Sequence, residues 1–209
     1  MEFQRVNISG GSSFEEVAGY SRIVKADPFV FVSGTTAVTP EGTVYGEGDP
    51  YAQAKYIFTK LVKLLEENGV HVLSNTYVML ERGGNKIALL GAEDSNGYAD
   101  QKTIAELSEE VRQEQGDVYK ILLSHRNTRI EEYVDAHIDL TLCGHAHGGL
   151  IRLPGTDGLI GPHREFFPSY TAGLYDLPYG QLVASRGLGN QFPAFRLFNR
   201  PDVPVVVLE

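Results

Sequence analysis

Residues 118–149 read VYKILLSHRNTRIEEYVDAHIDLTLCGHAHGG. Two apolar runs stand out, Val118–Ser124 and Ile138–Cys143, each short and bounded by polar residues, which is the pattern of a strand buried in a sheet. Between them Arg129–Ala136 has the length and composition of a short helix. Each run ends in a histidine-bearing string, S-H-R-N at 124–127 and G-H-A-H at 144–147. Open α/β sheets place their ligand sites at the carboxyl ends of such strands. His125, His145 and His147 are therefore delivered toward one crevice, and neutral imidazole is a common nitrogen ligand of zinc, manganese and iron. Gly144, Gly148 and Gly149 permit the turns that bring the rings inward.

Upstream, the pattern alternates. Arg22–Ala26 and Phe29–Ser33 are β-rich runs around Asp27-Pro28, a turn pair, and predict a hairpin. Asp49 is a natural N-cap and Pro50 suits a first helical position; Ala54, Ile57, Phe58, Leu61, Leu64 and Leu65 then recur at helical spacing until Gly69, which predicts an amphipathic helix over Pro50–Asn68. Its Ile57, Leu61, Leu64 and Leu65 face is expected to pack on a sheet drawing strands from both parts of the chain. Tyr77–Leu80 and Lys86–Leu90 around Gly83-Gly84-Asn85 predict a second hairpin, Ala99–Gln115 a helix, and the Gly- and Pro-rich stretch after Gly148 short β segments. The fold class is α/β, of the mixed α+β kind.

Composition narrows the function. The 209 residues are 42% hydrophobic and 22% charged, within the globular range. With 18 basic against 27 acidic residues the net charge is −9, which repels a phosphate backbone and speaks against a nucleic-acid partner. No apolar run approaches the roughly 20 residues of a membrane-spanning helix, so no membrane partner is expected. The lone Cys143 and the absence of a basic-then-apolar leader point to a reducing, cytoplasmic setting. Cys143 reads as a small buried residue, His163 and Arg164 as part of a solvated loop, and Asp94 as a residue that could orient a loop near the crevice without a catalytic role.

The strings I-L-L-S-H-R-N, I-D-L-T-L-C-G-H-A-H-G-G, T-A-G-L-Y, V-A-S-R-G-L-G-N and F-N-R-P-D-V-P-V-V-V-L resemble the C-terminal half of the calcineurin-like metallophosphoesterases, over residues 70–209. That resemblance implies half of a sheet-sandwich fold and hydrolysis of small phosphate esters by a metal-activated hydroxide. It also implies that His125 and His145 ligate one metal and His147 the other of a pair. The family's D-x-H, G-D-x-x-D and G-N-H motifs, which supply bridging carboxylate and proton donor, are not found in residues 1–124. Three imidazoles without a bridging carboxylate lead to an expectation of one divalent transition ion (manganese, zinc or iron) rather than two. No catalytic residue is assigned.

Residues 1–69 resemble another family. V-A-G-Y-S-R-I-V-K-A-D, F-V-F-V-S-G-T-T-A-V-T-P-E-G-T-V and the helix that follows are similar to the first half of the Rid (YjgF-like) family, a β-hairpin-plus-helix segment. This implies that Tyr20 and Ser33 line a substrate pocket at a subunit interface, and that the chain can form a homo-oligomer through this half. The alternative function is then enamine or imine deamination or ligand binding, and a third reading is an inactive fusion.

Overall fold

A computed structural model of the chain describes residues 4–26, 29–95, 97, 101–153, 157–161, 164–189 and 196–208. It divides into two compact units, Met1–Val72 and Leu73–Glu209.

The first unit holds β1 (Arg5–Ile8), α1 (Phe14–Ala18), β2 (Ile23–Ala26), β3 (Phe29–Val32) and α2 (Pro50–Glu67). The strands form one antiparallel sheet in the order β1-β2-β3, with Ile23 opposite both Ile8 and Val32. The hairpin of β2 and β3 is as expected; its Asp27-Pro28 turn lies outside the described residues. β1 and α1 were not foreseen, because a four-residue strand and a five-residue helix are too short to show a period. Asp49 caps α2 by accepting from the amides of Tyr51 and Ala52, both at 3.0 Å. Asn68 and Gly69 end it, Gly69 at a φ of 76°. No residue of α2 is fully buried. β3 is exposed along its whole length.

The second unit holds β4 (Thr76–Arg82), β5 (Asn85–Gly91), α3 (Ile104–Gln115), β6 (Tyr119–Leu123), α4 (Ile130–Asp135), β7 (Leu140–Cys143), β8 (Gly173–Asp176) and β9 (Gln181–Ala184). They form a sheet in the order β4-β5-β6-β7-β9-β8, in which β5, β6, β7 and β9 run parallel and the outer β4 and β8 antiparallel. β4 and β5 are joined by Gly83-Gly84 at φ of 60° and 83°, the double positive φ that a two-residue hairpin of matching twist requires. Ala88, Leu90, Leu122, Cys143, Leu182 and Ala184 share one sheet face and are buried with Ile104, Leu107 and Val111 of α3 and Tyr133 of α4. The architecture is mixed α+β.

Two expectations need correction. The strands of the two parts do not share a sheet, so the shared-sheet packing of α2 is not found: each group of strands closes its own ladder. The helix expected from Ala99 begins at Ile104, because Thr103 and Glu106 form a reciprocal capping box there; Ala99 and Asp100 lie outside the described residues. The other elements match within one or two residues.

Two substitutions test this packing. Thr103→Ala removes the box and should cost about 1 kcal/mol. Leu122→Ala empties the centre of the buried face and should cost about 2–5 kcal/mol. Equilibrium urea denaturation of the two variants checks both, and equal losses would contradict the placement of Leu122 in the core.

Candidate metal centre

The parallel register of β6 beside β7 pairs Ile121 with Leu140 and Leu123 with Leu142, so the two strands finish level. The ladder then continues past the strands: the Ser124 amide donates to Leu142 O at 3.1 Å and the Gly144 amide to His125 O at 3.2 Å. This stitches the two histidine loops together. His145 Nδ1 and His125 Nε2 stand 3.1 Å apart, with the rings edge-to-face at 4.8 Å between centroids.

Local structure braces the backbone of each loop. Buried Tyr133, in α4, donates to Arg126 O at 2.5 Å and bonds Ser124 Oγ at 3.0 Å, and its burial pushes the phenol up to about 12. Asn127, also buried, ties the same loop to the carbonyls of Ser169 and Tyr170 at 3.2 and 3.0 Å. After β7 the backbone turns left-handed at His145 (φ 64°) and His147 (φ 48°), on either side of fully buried Ala146. Such φ values in non-glycine residues cost energy and concentrate at functional sites. Gly148 continues at φ 69°, where an added Cβ would lie 2.3 Å from Asn199 Oδ1.

His147 takes a different neighbour. Its Nδ1 is 3.4 Å from Arg196 Nη2, while Asn199 Nδ2 donates to its carbonyl at 2.6 Å. Burial, and then the charge of Arg196 and the proximity of His125, hold its imidazole below the usual histidine range, favouring the neutral ring. The structure thus brings His125 and His145 together and turns His147 toward a guanidinium. Among the described residues no group of three or more His, Cys, Asp or Glu side chains is arranged to hold a metal.

Sequence reading undervalued Asp94. It stands beyond the end of β5, a third neighbouring strand end; Oδ1 accepts from Arg126 Nε at 2.9 Å and Oδ2 lies 3.9 Å from His125 Nε2. The signal was present in L-L-G-A-E-D, an apolar run ending in carboxylates. Arg196 carried no signal, since only the fold brings it beside a residue 49 positions earlier. His163 lies outside the described residues.

In the first unit Tyr20 and Ser33 both stand beside Arg22, which sequence reading passed over. Arg22 donates to Tyr20 Oη at 3.0 Å, to Gly34 O at 2.5 Å and to Thr35 Oγ1 at 3.1 Å, and lies 3.8 Å from Glu15. Burial works to raise the Glu15 carboxyl, but hydrogen bonds from Ser9, Gly10 and Ser12 and the Arg22 charge hold it below its usual range. Ser33 Oγ donates to Ser21 O at 2.7 Å. Both hydroxyls are engaged in bracing the β2 and β3 ends.

Comparison with known proteins finds two likenesses that overlap. The family model for endoribonuclease L-PSP, the Rid type, matches residues 10–78. The uncharacterized metallophosphoesterase YkoQ of Bacillus subtilis (strain 168) is 29% identical over 163 residues, 77% of this chain and 57% of its own length. YkuE of the same organism, likewise an uncharacterized metallophosphoesterase, is 28% identical over 169 residues, 79% and 55%. The phosphodiesterase YaeI of Escherichia coli (strain K12) is 28% identical over 144 residues, 69% and 49%. The chain joins a Rid-type segment to metallophosphoesterase-type sequence. It spans about half the length of the curated relatives it matches. A match over 77% of 209 residues leaves at most about 48 outside it, so the YkoQ match includes α2, which the Rid-type match includes as well. Among solved structures, the Haemophilus influenzae NAD nucleotidase overlaps 68% of this chain and 32% of its own, at 20% identity and a TM-score of 0.38.

Gly148→Ala tests the close approach at the His147 loop. A Cβ there meets Asn199 and strains a left-handed backbone, so unfolding free energy should fall by more than about 1 kcal/mol. The Gly187→Ala variant, at a similar φ of 65° but with open space around it, should lose less. Denaturation of the pair gives the difference; equal losses would remove Asn199 from the account.

Proposed function

We propose that the Leu73–Glu209 unit is a metal-dependent hydrolase of small phosphate esters, with a single divalent transition ion (manganese, zinc or iron) held by His125 and His145. The observation that carries it is the 3.1 Å separation of His145 Nδ1 and His125 Nε2. Two nitrogens bound to one ion at ~2.0–2.1 Å stand ~2.8–3.4 Å apart at octahedral to tetrahedral angles. The pair therefore fits one ion with little rearrangement. His147 is left out of this pair because the Arg196 guanidinium faces its Nδ1, a poor neighbour for a second cation. The metallophosphoesterase relatives support the reaction class.

A bound ion would supply Lewis acidity and lower the pKa of a coordinated water. The chain's own residues do the rest. Arg126 holds Asp94 beside His125, where the carboxylate can accept a proton or orient water. The stitched loops hold both imidazoles at fixed spacing before an ion arrives, which limits the entropy lost on binding.

Zinc or manganese titration of purified protein, with elemental analysis, should give about one ion per chain. His125→Ala and His145→Ala should abolish it, and His147→Ala should retain it. With no second ion and no recognised proton donor, turnover of an activated aryl phosphodiester should lie at least 10²-fold below that of a two-metal relative assayed in parallel. Two tightly held ions, or metal binding that survives His145→Ala, would sink this assignment.

The first unit carries a second proposal, self-association of the chain through β3. Phe29 and Phe31 are 59% and 58% exposed on a strand at the edge of its sheet, and such an edge is a template for pairing. Sedimentation should show a concentration-dependent oligomer, shifted toward monomer by Phe31→Lys. A monomer at all concentrations would count against it. The reducing setting of the cytoplasm suits free Cys143, whose burial pushes the thiol up to about 12; no helix among the described residues is long and apolar enough to cross a membrane.

A further inference from the structure

At the end of the sheet away from the histidine loops, a cavity of about 850 Å³ opens between α3, the end of α4 and the turn that joins β8 to β9. Its wall includes Lys120, Ser108, Arg112, Asp117, His137 and Tyr179. Lys120, in β6, is only 7% exposed. Its Nζ donates to Ser108 Oγ of α3 at 2.9 Å, and that hydroxyl gives its own hydrogen to Ala136 O at 2.6 Å. An ammonium has three N–H bonds, and the serine takes one. Among the described residues no carboxylate lies within ion-pair distance of Nζ. The two acids nearest in the fold are engaged elsewhere. Asp139 accepts from the Lys120 amide at 2.8 Å and from Tyr179 Oη at 3.2 Å, and Glu109 accepts from Arg112 at 2.6 and 2.7 Å. A buried cation calls for a partner of opposite sign, and here a cavity lies beside it.

We propose that this cavity binds a small zwitterion, an amino acid or another molecule with one carboxylate and one ammonium, its carboxylate on Lys120 Nζ and its ammonium toward Asp117 and Asp135. The charges of the lining select that class. Arg112 and Glu109 neutralise one another, which leaves a buried ammonium at Lys120 and exposed carboxylates at Asp117 and Asp135, both outside ion-pair distance of any cation among the described residues. A plain anion would be repelled by the two aspartates and a plain cation by the lysine, whereas a molecule carrying both charges is complementary to both. The wall is also built in advance. His137 holds a left-handed φ of 51°, a strain that concentrates at functional sites. Its ring meets Tyr179 edge-to-face at 4.8 Å between centroids, and Gly180 packs so closely that a Cβ there would lie 2.1 Å from Ile138 O. With Lys120 already held by Ser108, little ordering is left for a ligand to impose. Lys120 and His125 stand at opposite ends of β6, roughly 16 Å apart along a strand, so this site is distinct from the histidine pair.

The test uses the full chain and three probes of similar size: γ-aminobutyrate, which carries both charges, butyrate, with the carboxylate alone, and butylammonium, with the ammonium alone. Each is titrated while the backbone amides are followed in proton–nitrogen correlation spectra. γ-Aminobutyrate should shift the amides of His137 and Tyr179 saturably, with a Kd at least about threefold below that of either single-charge probe. Lys120→Met keeps the stem, removes the ammonium and should weaken γ-aminobutyrate about tenfold; exchanging a buried charge for an apolar side chain of similar volume is compatible with folding. Asp117→Asn combined with Asp135→Asn, both at exposed positions, should reduce γ-aminobutyrate to the affinity of butyrate, and this variant decides the matter if the methionine variant does not fold. His125→Ala combined with His145→Ala should leave binding unchanged. No saturable shift up to about 50 mM ligand, equal affinity for the three probes, equal affinity in the parent and the cavity variants, or loss of binding in the histidine variant overturns the proposal.

Discussion

The level, parallel pairing of β6 with β7 is the constraint from which the histidine site follows. Parallel strands in one sheet carry their chain ends to the same edge, and the Leu123–Leu142 pairing, continued by the Gly144 amide on His125 O, fixes how far each loop extends beyond that edge. Shifting β7 by one residue would put Leu140 and Leu142 in place of the buried Thr141 and Cys143 on the face toward α3, with side chains of different volume. The core therefore enforces the register, and the register enforces the 3.1 Å approach of the two imidazoles. The site depends on apolar burial more than on any polar contact within it.

Around that pair the charges are distributed unevenly. Asp94 and Arg126 form an ion pair on the His125 side, and Arg186 with Asp202 forms another behind Gly148. Each is locally neutral. Arg196 stands outside these pairs, with Nη2 3.4 Å from His147 Nδ1 and donating to the carbonyls of Arg186 and Gly189.

The two resemblances overlap at α2. α2 has a sound N-cap, a long apolar stripe and no fully buried residue, so its stability draws on local features that do not depend on one particular partner. Both the Rid-type match and the YkoQ match include it. A helix with these properties can follow one sequence and precede another without disturbing the hydrogen-bonded ladders on either side, which remain separate sheets.

The sequence alone determined the elements whose signals are local. Asp49-Pro50, the helical spacing of Ile57, Leu61 and Leu64, the Gly83-Gly84 turn and the short apolar runs before His125 and His145 each report a backbone preference set by neighbours a few residues away. It also determined that histidines end two buried strands. Only the tertiary structure decided which of them meet, because ring-to-ring distance depends on strand register and on the left-handed turns at His145 and His147, neither of which leaves a mark in composition. The same holds for Asp94, Arg196 and Arg22, whose partners at the histidine site and at the β3 end lie 12 to 49 residues away in sequence. Contacts of that separation are selected by packing of the whole sheet, and the energy that selects them is spread over apolar residues far from the site.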